Sequence, residues 1–192
     1  MNGASALVAV LDASVLYSAP LRHLLIALAI NGAFQARWTS TIQDEWVAAL
    51  KRDRPDLDGS RIDRTRRLMD AHLPDAFVAD HEAIISGLTL PDANDRHVLA
   101  AAIHCAASVI VTVNLKDFPA KVLDTLSIRA LHPDAFVCEL LQRDAQLVVA
   151  AMREHRQDLK NPSKTPAEYL ATLDAMGMKN TVAALKGSQD FI

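Results

Sequence analysis

Short apolar runs alternate with longer segments of helical pattern along the first two thirds of the chain. Residues 6–11 and 109–113 are nearly continuous apolar runs, which are typical of strands buried on both faces of a parallel sheet. The strand candidates are residues 6–11, 37–39, 76–79, 109–113 and 126–130. The helix candidates are residues 20–30, 40–52, 60–73 and 91–107. This alternation predicts an α/β fold with a mostly parallel sheet.

Polar residues mark where the later helices of this set begin. Ser40 is the predicted N-cap of the second helix, with Gln43 at the capping-box position, and Asp58 is the predicted cap of the third. Asp92 is better placed to cap the fourth helix than to bind a ligand, and this puts Asp95 at its third position.

The last third of the chain has a helical pattern only. Residues 134–158 read as helix throughout, and Thr165 to Glu168 (Thr-Pro-Ala-Glu) is a strong helix start with an N-cap, a proline and a capping-box acid. We expect that helix to end at Gly177 and another to start near Asn180. The chain therefore divides into a predicted α/β domain over residues 1–132 and an all-helical extension over residues 133–192.

Composition excludes several classes of protein. The 192 residues are 51% hydrophobic and 22% charged, which excludes a disordered chain. The net charge of −3 excludes a protein that coats nucleic acid by bulk positive charge, so any contact with RNA or DNA must be local. The two cysteines fit neither a metal motif nor a disulfide framework, and no membrane span or signal peptide is evident. We expect a cytoplasmic protein that does not contact a membrane.

Acidic and amide side chains follow the predicted strands. Asp12 comes directly after the first apolar run, and Asn114 and Asp117 follow the run at 109–113. Asp95 opens the helix that leads into that second strand, and Glu45 lies early in the helix from residue 40. Because ligands of an open parallel sheet bind outside the carboxyl ends of its strands, we expect these side chains to converge there.

Such a cluster indicates a metal site. Carboxylates that lie together repel each other unless a cation joins them. Mg²⁺ and Mn²⁺ prefer hard oxygen ligands, and a metal held by carboxylates polarises a phosphoryl oxygen and generates hydroxide at neutral pH. The sequence therefore predicts metal-dependent hydrolysis of phosphodiester bonds.

Each of these residues also has a structural interpretation. Asp12 can end a strand in a turn, but an isolated carboxylate after an apolar run favours a function. On physical grounds alone, Glu45 is better explained as an acid that favours the helix dipole, and for Asp95 the two readings are close. Asn114 and Asp117 are also common turn residues.

Four motifs together carry a family resemblance. They are LDASVLYS at 11–18, DEW at 44–46, PDANDRHVLAAAIHCAA at 91–107 and VIVTVNLKDFP at 109–119. In order and spacing the chain resembles the PIN-domain ribonucleases, which include the VapC-type toxins of type II toxin–antitoxin systems. The resemblance spans about residues 5–131, and the helical tail is similar to the C-terminal extension in one branch of these toxins.

The resemblance implies a three-layer α/β/α fold and an Mg²⁺- or Mn²⁺-dependent endoribonuclease. It maps the family's acids onto Asp12, Glu45 and Asp95, and the fourth position onto Asn114 or Asp117. Asp12 and Asp95 would hold the metal most directly, while Glu45 would complete the shell or orient the attacking water. Asp117 or Asn114 would bind through water. Thr112, which could also be only a strand residue, would support the loop.

The resemblance also implies partners, namely an RNA substrate, a cognate antitoxin protein and a second copy in a homodimer. Residues 51–67 contain seven basic and four acidic residues, and Arg61, Arg64 and Arg67 recur at helical spacing. That face would guide RNA or pair with the antitoxin, although a solvated helix surface explains any single arginine better.

Two alternatives remain at this stage. His97 would assist proton transfer, or it is a histidine of the core or surface, which is the more common case.

The alternative function is a catalytically silent module of the same fold that binds RNA or protein. Its support is Asn114, which stands where many family members carry aspartate.

Overall fold

A four-stranded parallel sheet forms the centre of the protein. The computed structural model describes residues 7–186 and residue 192. The strands are β1 (Val8–Leu11), β2 (Gln35–Arg37), β3 (Val109–Val111) and β4 (Arg129–Leu131). They lie in the order β2-β1-β3-β4, and all neighbours are parallel. The continuous apolar runs become the two central strands, whose residues are almost all buried.

Helices pack around this sheet, in agreement with the predicted α/β/α fold and helical C-terminal region. The helices before β4 are α1 (Ala13–Tyr17), α2 (Ala19–Ile30), α3 (Ser40–Asp53), α4 (Gly59–His72), α5 (Glu82–Ile85), α6 (Arg96–His104) and α7 (Ala120–Leu123). The helices after β4 are α8 (Pro133–Arg143), α9 (Ala145–Asp158), α10 (Pro166–Ala175) and α11 (Lys179–Leu185). Within the described part of the chain, no helix is both long and apolar enough to cross a membrane.

The strand order changes sides at β1, which forms the switch point of this parallel sheet. From β1 the chain moves to β2 on one side, and it then crosses to β3 on the other side. A crevice forms at such a switch point, outside the carboxyl ends of the two central strands. Asp12 follows β1 there, and Thr112 follows β3.

Several local predictions were wrong. Residues 76–79 do not form a strand of the sheet, and Phe77 makes one isolated bridge to Trp38. The extended segment is short because a 3₁₀ turn at Pro74–Ala76 precedes it and the left-handed backbone of Asp80 (φ 59°) follows it. Helix α3 is capped by Thr39 rather than Ser40, and the Thr39 hydroxyl accepts the amide hydrogen of Ile42.

A third wrong prediction is the single helix over 134–158. Asp144 divides it, because its backbone is not helical and its carboxylate accepts the amide hydrogen of Leu147 as the N-cap of α9. The predicted caps at Asp58 and Thr165 are confirmed, the latter with a complete capping box to Glu168. The left-handed backbone that ends α10 is at Gly177 (φ 82°), as glycine there predicts.

The C-terminal helices share one hydrophobic core with the sheet. Phe136 of α8 contacts Phe34 edge to face, with ring centres 4.9 Å apart, and α9 packs on α2. Buried Asp134 accepts hydrogen bonds from the backbone of Asn180 and from Thr181, which fixes the start of α11 on α8. The division into domains at residues 132 and 133 stays a prediction, although it coincides with the start of α8.

Candidate active site

Asp12 is a buried carboxylate at the switch point of the sheet. It is 5% exposed and stands at the N-cap position of α1. Its Oδ2 accepts hydrogen bonds from the hydroxyls of Ser14 at 2.5 Å and Thr112 at 2.7 Å. Thr112 is fully buried, and its hydroxyl also accepts the amide hydrogen of Asn114 at 3.0 Å. A buried carboxylate needs such donors, and here the residue after β3 holds the acid that follows β1.

Four of the predicted site residues line one cleft of about 420 Å³. They are Asp12, Glu45, Asp95 and Asn114. Asp117 is not part of this lining, because it ends the 3₁₀ turn Leu115–Asp117 farther along the loop. The fold therefore brings the ends of β1, α3, α6 and β3 to the same cleft.

Asp95 experiences the combined negative charge of this region. Burial raises its pKa from 3.8 to about 6, and the charges of Asp12, Asp117, Asp92 and Glu45 add to the effect. Asp117 thus acts on the site through its charge, although it does not line the cleft.

The start of α6 leaves the Asp95 carboxylate free for the cleft. Asp92 caps the preceding 3₁₀ turn by accepting the amide hydrogen of Asn94 at 2.9 Å, so it is a capping residue as predicted, but of this turn and not of the helix. Asp95 is the last residue of that turn rather than the third residue of a helix, and its side chain forms no cap hydrogen bond to α6. Its carboxylate is therefore not used by its own helix.

Glu45 has a partner that the sequence did not identify. The Nε2 atom of His97 lies 2.9 Å from its Oε1 atom. The Glu45 side chain is 41% exposed in the cleft, whereas His97 is 8% exposed. The contact joins α3 to the first turn of α6.

Sequence reasoning also missed part of the cleft's lining. Ser14 contacts Asp12, and the motif at 11–18 contains it two residues after that acid. Tyr17, Arg52 and Asp53 line the same cleft, where Arg52 binds the Asp53 carboxylate through two nitrogens. No local signal placed these three residues at the cleft, because the packing of α1 on α3 brings them together.

Ion pairs involve most of the basic residues at 51–67 and leave three exposed arginines outside them in the described part of the chain. Four cations of the stretch 51–67 are neutralised in the pairs Lys51–Asp63, Arg52–Asp53, Arg54–Asp56 and Arg66–Asp44. Arg61, Arg64 and Arg67 are exposed on α4 and form no ion pair within residues 7–186 and 192. Arg61 also lines a second cleft of about 430 Å³, which shares Tyr17 and Trp46 with the first.

The donor set of the cleft fits a hard cation. Its acidic and amide residues offer oxygen atoms only, and such ligands suit Mg²⁺ and Mn²⁺. No group of three or more histidine, cysteine or acidic side chains in the described residues is drawn together tightly enough to enclose a metal.

The raised pKa of Asp95 predicts a stabilising substitution. Since its folded pKa of about 6 lies above its ordinary value of 3.8, Asp95 favours the folded state below pH 3.8 and loses that advantage as the pH rises through 6. In the metal-free protein, Asp95→Asn should raise the free energy of unfolding by about 1 kcal/mol at about pH 8, after allowance for solvent screening, and by little at about pH 4.

Urea unfolding at both pH values, with EDTA present, measures this difference. Asp124→Asn, at an exposed acid outside the cleft, removes the same charge and should give no comparable gain. A destabilised Asp95→Asn protein at the higher pH would contradict the electrostatic picture of the cleft.

Comparisons with known proteins agree with the predicted fold and family. Residues 8–116 match the family model described as PIN domain, and residues 133–187 match the model described as VapC50 C-terminal domain. The chain is 39% identical over 97 residues to a protein of Mycobacterium tuberculosis named "Putative ribonuclease VapC50". That match covers 50% of this chain and 56% of the relative, so the chain spans little more than half of the relative's length. No solved structure matches the chain.

The PIN-domain match covers more than half of the 192 residues, and it contains the strands β1, β2 and β3 together with the four predicted site residues that line the cleft. The chain belongs to the PIN-domain family, and its C-terminal helices correspond to the VapC50 C-terminal domain.

Proposed function

We propose that this protein is a metal-dependent endoribonuclease that cleaves RNA phosphodiester bonds and acts as the toxin of a toxin–antitoxin pair. The observation that carries the proposal is the convergence of Asp12, Glu45 and Asp95 on one cleft at the switch point of the sheet. The relative named as a ribonuclease supports the assignment of RNA as the substrate.

The site residues would have different roles in binding the cation, set by their surroundings. Asp12 and Asp95 would bind the cation directly, since the hydroxyl donors occupy Oδ2 of Asp12 and leave Oδ1 available. Glu45 would complete the coordination shell or orient the attacking water. Asn114, which lines the cleft, and Asp117, which acts through its charge, would bind through water.

A bound Mg²⁺ or Mn²⁺ would act as a Lewis acid on the phosphoryl group and activate water for attack on phosphorus. The acids of the cleft supply the negative charge that attracts this cation. Without it, the same acids would repel the RNA backbone, so the cation is what makes an acidic cleft compatible with a polyanionic substrate.

RNA would reach the cleft along α4. Arg61, Arg64 and Arg67 are the exposed cations that the local ion pairs leave available, and Arg61 borders the neighbouring cleft. Phosphate contacts of this kind position a nucleic acid without reading its sequence. The same face is a candidate contact for the cognate antitoxin, and a homodimer is expected from the family.

The second candidate function is a catalytically silent module that binds RNA or protein. One observation favours it: an amide, Asn114, lines the cleft where many family members carry a carboxylate. The three acids Asp12, Glu45 and Asp95 in the same cleft argue against it.

Cleavage of labelled single-stranded RNA by the purified protein tests the catalytic assignment. We expect cleavage with Mn²⁺ or Mg²⁺ that EDTA stops. Asp12→Asn and Asp95→Asn should each reduce the rate by more than about 100-fold, because direct ligands matter more than the outer partners whose loss costs 10–100-fold.

Asp124→Asn is the matched control and should cleave at the wild-type rate. Undiminished cleavage by either active-site variant would contradict the site assignment. Mn²⁺ binding by the wild type without any RNA cleavage would favour the silent module.

Charge reversal on α4 tests the path of the RNA. The double variant Arg64→Glu and Arg67→Glu should bind RNA more weakly, and the slope of log affinity against log salt should fall by about 2, or one unit for each lost phosphate contact. Fluorescence anisotropy in metal-free buffer, with Asp95→Asn as the background, separates binding from cleavage.

The double variant Lys160→Glu and Lys179→Glu carries the same change of charge on the exposed C-terminal region. It should affect RNA affinity much less than reversal on α4. Equal effects of the two double variants, or none from either, would contradict α4 as an RNA contact.

A further inference from the structure

His97 connects two of the helices that supply acids to the cleft. It lies in the first turn of α6, two residues after Asp95. Its Nε2 atom lies 2.9 Å from Oε1 of Glu45 on α3, 52 residues earlier in the chain. The other ring nitrogen, Nδ1, is buried and has no hydrogen-bond partner among the described residues. The contact with Glu45 is therefore the polar interaction that explains a histidine at this position.

Glu45 needs such a partner more than the other acids do. Asp12 is buried and held by two hydroxyls, whereas Glu45 is a longer side chain that is 41% exposed on a helix surface. Within residues 7–186 and 192, its carboxylate has no other hydrogen bond from a side chain. Free rotation about its side-chain bonds and repulsion from Asp12 and Asp95 both favour conformations outside the cleft.

A hydrogen bond from His97 opposes both effects. The tautomer with its proton on Nε2 donates to Oε1 of Glu45 and leaves Oε2 available to a ligand in the cleft. Because Asp95 and His97 are two residues apart in one rigid helix start, the same segment supplies one acid and orients another.

We propose that His97 is a positioning residue of this site, which holds the Glu45 carboxylate in place for a divalent cation through the Nε2–Oε1 hydrogen bond. The inference rests on the proposed function, since it requires that the cleft binds Mg²⁺ or Mn²⁺. Hydrogen-bond partners of ligating carboxylates typically contribute 10–100-fold to metal affinity.

If His97 only packed against its neighbours, its substitution would have a different effect on metal affinity. His97 is 8% exposed, so its ring also fills space against buried neighbours. If filling space were its whole contribution, an apolar residue of similar size would replace it without loss of metal affinity. His81, which is 2% exposed and does not line the cleft, provides a matched buried histidine for comparison.

Mn²⁺ binding to the full chain without RNA, followed by electron paramagnetic resonance of free Mn²⁺, separates the two roles. We expect His97→Leu to raise the Kd for Mn²⁺ by about tenfold or more. His97→Gln, whose amide nitrogen reaches about as far as Nε2, should stay close to the wild type. His97→Asn, whose shorter amide does not reach Glu45, should resemble His97→Leu and replaces it as the test if the leucine variant does not fold.

A double-mutant cycle with Glu45 makes the test specific. In a Glu45→Gln background the substitution His97→Leu should cause no further loss of Mn²⁺ affinity, because the carboxylate that His97 positions is already absent. His81→Leu should bind Mn²⁺ like the wild type.

The outcomes that overturn the inference are distinct from failure of the proposed function. Wild-type affinity in both His97→Leu and His97→Asn, an equal loss in His97→Gln, or a further loss in the Glu45→Gln background would each overturn the positioning role. A wild-type protein that binds no Mn²⁺ would contradict the proposed metal-dependent function itself.

Discussion

Repulsion among acidic side chains at one edge of the sheet is the constraint that the rest of the site accommodates. Burial and four neighbouring acids raise the pKa of Asp95 to about 6, so the metal-free cleft holds more negative charge than it can easily stabilise. The fold holds two of these acids, Asp12 and Glu45, through side chains from other parts of the chain. Thr112 donates to Asp12 from the end of β3, and His97 contacts Glu45 from α6. A divalent cation would neutralise much of this negative charge, which links the repulsion among the acids to the proposed function.

The order of the strands explains why these supports are within reach. Leu11 and Val111 are paired residues of adjacent parallel strands, so the next residue of each, Asp12 and Thr112, emerges at the same edge. The switch in strand order between β1 and β3 leaves a crevice at this edge. Glu45 from α3 and Asp95 beside the start of α6 line its sides. The C-terminal helices do not contribute to the lining of this cleft. They pack on the side of α2 and belong to the same hydrophobic core as the sheet.

Features that depend on neighbouring residues were predictable from the sequence, and features that depend on distant packing were not. The central strands, the acid after β1 and the caps at Asp58 and Thr165 each have a local signal, and the structure has them. The contact between Glu45 and His97 joins residues 52 apart, and its existence depends on how α3 lies against α6. The break at Asp144 was missed because apolar periodicity continues on both sides of it. Coordinates were also needed to see that Asn114 lines the cleft, whereas Asp117 lies outside the lining and raises the pKa of Asp95 through its charge.

The most direct test of the central claim is a crystal structure of the full chain with Mn²⁺, in which anomalous scattering locates the ion. Convergent acids at the switch point predict one dominant anomalous peak in the cleft, within direct coordinating distance of Asp12 and Asp95 and with Glu45 in the first or second coordination shell. Their oxygens should move toward the ion, and the contact between Glu45 and His97 should persist. A dominant peak elsewhere on the protein, or no peak at a saturating Mn²⁺ concentration, would contradict the claim that these acids form a metal site.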